Sequence, residues 1–465
     1  MRPRVLPPLT VIASTLLGAA LPATLQPLSI PQFGIHEVTL ESDTRYTNPY
    51  VEGSAEASMT GPDGRTRELP LFWDGETTWR FRFSPDVMGE WRWTVGSRDP
   101  GLNGRSGRFI VTPARHKGGI RPMRGHPAHF ERQDGSPFWF LGDTAWAFFT
   151  DSSEERHDRD AAFRYADARA AQGFNVIHAM MLSEAGWTNK GGPPFIDLSA
   201  ERLNPGYWQE IDARIEHANS KGLVCGLAIA WGDKRREEPY AWRRFPTVEA
   251  RERYARYAAA RYGAYDVFFL VSGEWHGEVL TRPAPEADVK QEFMRIGDAL
   301  ASADPHDRMI GIHPMADHGS TREFNDAPWM AFSDYQQNYR NLHARALLSR
   351  RDPKPVVNAE YGYYLRDQNG DGIPDKDNGT SLESMRHATW DIVMAGANVV
   401  TGFGTTYFGG HRDPGPFDLD AAKNKEWEKQ VGVLAQLFTS LEWWTLEPHD
   451  DLVRVRHRAA AIRGI

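Results

Sequence analysis

Phe268-Phe269-Leu270-Val271-Ser272-Gly273-Glu274-Trp275 is an apolar run that ends in a carboxylate beside an indole. Pro355-Val356-Val357-Asn358-Ala359-Glu360-Tyr361-Gly362 has the same form later in the chain. Short apolar runs closed by Gly, or opened by Pro, read as strands buried on both faces, as in parallel sheets. A strand that delivers a carboxylate at its C-terminal tip is how a (β/α)8 barrel presents catalytic acids. Two such carboxylates from different strands can flank one glycosidic bond, which points toward sugar hydrolysis.

Outward from these runs, strand-like and helix-like stretches alternate. Strands are expected at Phe138–Asp143, Gly173–His178, Leu223–Ala230, Asp266–Val271, Met309–His313, Trp329–Ser333, Pro355–Ala359 and Asn398–Phe403. Helices are expected at Asp158–Ala171, Tyr207–Lys221, Val248–Tyr262, Val289–Ala303, Leu342–Arg350, Ser384–Ala395 and Ala421–Leu441. The alternation implies parallel pairing with right-handed crossovers, and eight units favour a closed ring over an open sheet. An open dinucleotide-binding sheet is disfavoured because no Gly-x-Gly-x-x-Gly follows the first strand, and no phosphate-binding Gly-x-x-x-x-Gly-Lys-Ser/Thr occurs.

Ahead of the alternating region the period changes. Trp79-Arg80-Phe81-Arg82-Phe83 and Trp91-Arg92-Trp93-Thr94-Val95 alternate apolar and polar residues, and Gly61-Pro62-Asp63-Gly64, Asp74-Gly75 and Gly101-Leu102-Asn103-Gly104 supply turns. Half-buried antiparallel strands follow, so residues 32–115 are expected to form a small Ig-like β-sandwich and 118–445 the α/β barrel. Arg2 and Arg4, an apolar run through Leu17 and Leu21, and small residues near Ala20 and Ala23 have the form of a secretory signal peptide over 1–23. From that form the protein is expected to be secreted or periplasmic. Residues 446–465 read as the start of a truncated or absent C-terminal β-domain.

The chain has 465 residues, enough for a barrel plus a smaller module, and a formal net charge of -8. That charge gives no general attraction to nucleic acid, and no later segment is apolar enough to span a bilayer. Cys225 is the only cysteine, so export does not rest on an intrachain disulfide. His-Glu-x-x-His and Gly-x-Ser-x-Gly are both absent, which removes the usual zinc-protease and serine-hydrolase signatures.

In a barrel the strand tips form the site. The tips carry Asp143 and Trp146, His178 and Glu184, Trp231 and Asp233, Glu274 and Trp275, His313, Asp334 and Gln336, Glu360 and Tyr361, and Thr405 and Tyr407. Asp143 either bonds a substrate hydroxyl or caps the first helix. His178 and His313 are either site residues or satisfied structural histidines. Trp146, Trp187, Trp231 and Trp275 are either sugar-stacking surfaces or core. Gln336 and Tyr361 complete the expected substrate contacts.

Asp367-Gln368-Asn369-Gly370-Asp371-Gly372-Ile373-Pro374-Asp375 places oxygen donors at alternate positions, as the first half of a calcium loop does. Asn378 stands where the bidentate glutamate would be, so Asp367, Asn369, Asp371 and Asp375 make either a structural Ca2+ site or a solvated acidic loop. No cofactor is expected for catalysis.

Asp134-Gly135-Ser136-Pro137-Phe138-Trp139-Phe140-Leu141-Gly142-Asp143-Thr144-Ala145-Trp146 resembles the opening of the DUF4038 or apiosidase-like glycoside hydrolase domain (family 140-like). The segments Asn48-Pro49-Tyr50, Phe72-Trp73-Asp74-Gly75, Arg82-Phe83-Ser84-Pro85 and Gly89-Glu90-Trp91 resemble the DUF5060 β-sandwich found ahead of it. Further similarity lies at His313-Pro314, Arg386 with Trp390, Ala395-Gly396-Ala397 and Leu441-Glu442-Trp443-Trp444. The resemblance implies a retaining glycoside hydrolase with its acid/base after strand four, Glu274, and its nucleophile after strand seven, Glu360. Relatives often carry an aspartate at the first of these positions, and a longer side chain there bears on substrate identity more than on reaction class. Pectic side chains are the substrates the resemblance suggests.

Retention itself needs the two carboxyl groups about 5 to 5.5 Å apart, one to attack the anomeric carbon and one to protonate the leaving oxygen. The proton donor needs apolar surroundings, expected from Trp275, and the nucleophile needs partners that keep it ionised, such as His313 or Tyr361. The rival reading is a non-catalytic polysaccharide-binding protein on the same barrel.

Overall fold

The computed structural model describes residues 28–152, 157–182, 186–197, 199–232, 241–316, 318, 323–337, 341–350, 353–361, 382–402 and 422–452. Eight parallel strands form one sheet: Leu141–Thr144, Val176–Met180, Val224–Ala228, Val267–Leu270, Ile310–Gly311, Ser333–Gln336, Val356–Tyr361 and Asn398–Thr401. Taking these as barrel strands one to eight, their spatial order is five, four, three, two, one, eight, seven, six. A parallel bridge between Ile310 and Met330 brings the segment before strand six alongside strand five, so the ring is nearly closed. All residues of strands two, three, four and seven are buried, which is why they read as continuous apolar runs.

Local chemistry sets the helix boundaries. The Asp158 side chain accepts from the Ala161 amide and starts Arg159–Ala171. Asn204 followed by Pro205 starts Pro205–Ser220, and Thr247 caps Val248–Tyr262 through the Ala250 amide. Helices Glu286–Ala303, Leu342–Ser349, Leu382–Met394 and Ala422–Thr439 complete the main outer layer among the described residues.

Two expectations shift. Phe138 belongs to a short antiparallel sheet, pairing with Phe130 of His126–Arg132, and barrel strand one begins only at Leu141. Strand six is Ser333–Gln336, not the more apolar Trp329–Ser333. Its polar Ser-Asp-Tyr-Gln sequence is fully buried because Asp334 has an interior ionic partner.

The amino-terminal region holds a five-stranded sheet and a three-stranded sheet, with a core containing Phe81, Trp91, Val95 and Phe109. The pairing is largely antiparallel, the exception being Ser29–Pro31, which runs parallel to Ser106–Thr112. The region meets the barrel through charge. Arg82 Nη2 and Arg261 Nη2 each lie 2.7 Å from Asp212 Oδ2, and Arg261 Nη1 lies 2.8 Å from Asp74 Oδ1. Arg80 reaches the other Asp74 oxygen at 2.7 Å, and Arg82 Nε reaches Glu37 at 2.6 Å. Burial alone would raise the Asp212 carboxyl, but Arg261 and Arg82 hold it below its ordinary range.

Among the described residues no helix is long and apolar enough to cross a membrane. Cys225 is buried within strand three. The expected signal peptide, Glu184, Asp233, Thr405, Tyr407 and the loop with Asp367, Asn369, Asp371 and Asp375 lie outside the described residues.

Candidate active site

Glu360 is the penultimate residue of strand seven and is 4% exposed. Its Oε2 accepts from His313 Nε2 at 3.1 Å, and the opposite ring nitrogen, Nδ1, lies 3.3 Å from both carboxylate oxygens of Asp334. Burial would depress the imidazole, but Asp334 and Glu360 hold it up at about 10. His313 is therefore a buried imidazolium between two carboxylates at neutral pH. Burial pushes Asp334 up to about 6 against the opposing pull of His313.

Glu274 lies four residues beyond strand four and is 6% exposed. Its backbone takes φ 39°, a left-handed conformation that is uncommon for a residue with a side chain. Gly273 bridges to Trp231 in parallel register, and a Cβ at 273 would lie 1.9 Å from the Trp231 ring. The glycine lets the indole lie flat on the backbone, so that Trp231 Nε1 reaches Glu274 Oε2 at 3.3 Å.

The two glutamates share one floor. The Trp231 and His313 rings are 5.7 Å apart, and each contacts one of the carboxylates. Trp146 packs at 4.8 Å from Trp231 and 5.6 Å from His313, fully buried beneath both. Gln336 pairs with Glu360 just past a register shift that follows Tyr335. The Gln336 Oε1 atom is buried with no hydrogen-bond partner among the described residues.

Four expected contacts are not brought to this floor. Asp143 points into the helix layer, where its Oδ2 accepts from Tyr165 at 2.7 Å and pairs with Arg169. It does not cap the first helix, a task Asp158 performs. Tyr361 also turns outward, its hydroxyl 2.6 Å from Thr389 Oγ1 on helix Leu382–Met394. Tyr361 is thus committed to the helix layer while Glu360 meets His313. Trp275 packs against Phe293 and Phe324, away from Glu274. His178 sits inside the barrel among Phe140, Phe268 and Trp146, where burial holds its imidazole down at about 3. Trp187 is half-buried against the core.

Asp334 has a larger place than its position in a strand-tip roll suggested. The signal was available in sequence as an acid inside an otherwise buried strand, but its partner was not.

A parallel barrel with a buried, polar, carboxylate-bearing rim at its C-terminal strand tips defines the class of barrel glycoside hydrolases. The family described as "Apiosidase-like, catalytic domain" matches residues 126–445, and a domain of unknown function, DUF5060, matches residues 29–98. The chain belongs to the apiosidase-like family, and it is a glycoside hydrolase. No curated protein matches the chain.

Solved structures agree on the fold. A "putative glycoside hydrolase" from Bacteroides vulgatus ATCC 8482 superposes with TM-score 0.72 at 21% identity, over 89% of this chain and 79% of that one. A chain named glycoside hydrolase superposes with TM-score 0.57 at 20% identity, over 73% of this chain and 78% of that one. A glycoside hydrolase family 5 protein from Bacteroides vulgatus ATCC 8482 gives 0.55 at 17% identity, over 73% of this chain and 75% of that one.

Proposed function

We propose that this protein hydrolyses O-glycosidic bonds in a polysaccharide or its side chains by a retaining double displacement, with Glu360 as nucleophile and Glu274 as acid/base. The observation that carries the reading is the pair of neighbouring rings, Trp231 and His313, each contacting one of the two carboxylates.

Glu360 has the partner a nucleophile needs. A buried imidazolium at hydrogen-bond distance favours the ionised carboxylate, which attacks the anomeric carbon. Asp334 on the far side of the ring holds the imidazole in place and balances its charge. Glu274 protonates the departing oxygen, then takes a proton from the water that cleaves the glycosyl-enzyme. The Trp231 N–H donates to Glu274 and holds its carboxyl in place through both steps. The buried Gln336 amide oxygen is suited to accept from a sugar hydroxyl. Pectic side chains are the first substrate class to test, and the basic-then-apolar amino terminus supports export.

The test compares wild type with Glu274→Gln and Glu360→Gln on plant, algal and bacterial polysaccharides, reading released sugars by chromatography and mass spectrometry. Release lost in both variants is expected, and NMR of the first product should show retained anomeric configuration. Equal release by all three proteins would reject the assignment. Binding without release by wild type on every polymer would favour the non-catalytic rival. Amino-terminal sequencing of the exported protein tests the processing site.

A further inference from the structure

Two residues beyond Glu274 the chain carries His276, which starts the short helix His276–Thr281. Its ring lies 4.0 Å from that of His318, centroid to centroid, and His318 belongs to the connection that follows barrel strand five. Glu323 lies further along the same connection. One nitrogen from each imidazole and one carboxylate oxygen of Glu323 all lie within 4.8 Å of one another.

His276 is 8% exposed, and its Nε2 is buried with no hydrogen-bond partner among the described residues. Its Nδ1 lies 3.4 Å from the Met315 amide nitrogen, at the outer limit of a hydrogen bond. A buried imidazole with an unpartnered nitrogen, beside a second imidazole and a carboxylate, has no evident structural task.

We propose that His276, His318 and Glu323 bind one divalent transition-metal ion of the Zn2+ type, tying the segment that carries Glu274 to the one that follows His313. Imidazole favours zinc, copper or nickel over calcium or magnesium, and two imidazoles with one carboxylate form an established zinc donor set with a position left for water. Donors about 2.0 to 2.2 Å from one ion lie roughly 3.4 Å apart in a tetrahedron, so binding draws the three groups together. His318, the exposed member, is the side chain with room to move. Coordination through Nε2 leaves the His276 proton on Nδ1, and the loose Met315 contact is given up.

The ion takes no part in bond cleavage. The Gly277 amide donates to the Glu274 carbonyl, so fixing His276 fixes the turn on which Glu274 stands. His276 is thus a positioning residue, and that consequence rests on the proposed role of Glu274. The binding itself does not.

The full-length protein, stripped with chelator, would be titrated with Co2+ and with Zn2+, using visible absorption for cobalt and a chromophoric competitor for zinc. His318→Ala and Glu323→Gln alter exposed or half-buried positions, and thermal melts verify that both fold. One ion per chain is expected, with X-ray absorption showing metal–nitrogen distances of about 2.0 to 2.1 Å. Each substitution should weaken binding at least about tenfold, as loss of even an outer partner of a metal ligand can do. Excess Ca2+ should not displace the ion, which separates this site from the acidic loop at 367–375. No uptake, or uptake that both variants retain in full, overturns the proposal. The readout is metal binding, so failure of the glycosidase reading leaves it intact.

Discussion

The junction between the amino-terminal sheets and the barrel buries carboxylates beside arginines, whereas the barrel mouth buries them beside a histidine. At the junction Asp212 and Asp74 are met by Arg82, Arg261 and Arg80, cations that do not titrate in the working range. At the mouth Asp334 and Glu360 share the single imidazolium of His313. The first network is saturated and holds two bodies in register. The second carries one titratable proton donor for two carboxylates, which suits a place where charge must develop and be relieved.

Breaking each network should therefore give a different signature. Glu360→Gln should abolish turnover at a smaller cost in melting temperature than a junction substitution, since Asp334 still faces the His313 imidazolium. Glu274→Gln should lower kcat by about 10² to 10⁴, the usual worth of general acid/base catalysis, most severely for substrates with poor leaving groups. Steady-state assays with circular dichroism melts on the same samples check both. A Glu360→Gln protein that turns over normally would place the nucleophile elsewhere.

At the junction the effect should fall on stability. Arg261→Ala leaves Asp212 and Asp74 short of a buried partner and should cost about 3 to 5 kcal/mol in denaturant unfolding. Residual activity per folded molecule should be close to wild type, since no junction group reaches the mouth. Activity lost in proportion to this substitution without unfolding would join the two regions functionally and dissolve the contrast.

His313→Gln sharpens the comparison through pH. The folded-state imidazole is held near 10 against an ordinary 6.5, so its stabilising contribution is fully present below about 6.5 and is lost as pH rises through about 10. The stability advantage of wild type over His313→Gln should shrink across that interval in melts at stepped pH. Asp334 takes up a proton near 6, so the series begins above that value. An advantage independent of pH from 7 to 10 would mean that the ring is neutral.

The smallest effects test where side chains point. Trp231→Phe keeps a ring on the floor but removes the donor to Glu274, and a change of about 1 kcal/mol, near tenfold or less, is expected in kcat/KM. Tyr361→Phe removes the hydroxyl's bonds to Thr389 and Thr401 and should cost about 1 to 2 kcal/mol of stability with activity unchanged. A marked fall in activity for Tyr361→Phe would return that hydroxyl to the site.

Much of the barrel was legible because its signals are local. Helix Val248–Tyr262 has the bounds its cap and spacing predict, and strands four and seven lie where their apolar runs end in glutamate. Strand six was misplaced because a buried Asp334 looks like a loop residue until His313 is known to face it. The rim roll included Asp143, Tyr361, Trp275 and His178 because sequence position gives height along a strand more readily than direction. Register shifts near Tyr335 and Asn358 disturb simple alternation at the tips where direction matters most.

By itself the sequence determined the order of strands and helices, the change of period between the amino-terminal sheets and the barrel, and the two strand ends that carry glutamates. Those follow from apolar spacing, caps and turns, which act between residues a few positions apart. Only the tertiary structure decided that Trp231 lies on Gly273 to reach Glu274, that His313 joins Asp334 to Glu360, and that Asp143 and Tyr361 belong to the helix layer. Each depends on groups brought together from distant parts of the chain, and burial makes every such polar contact count.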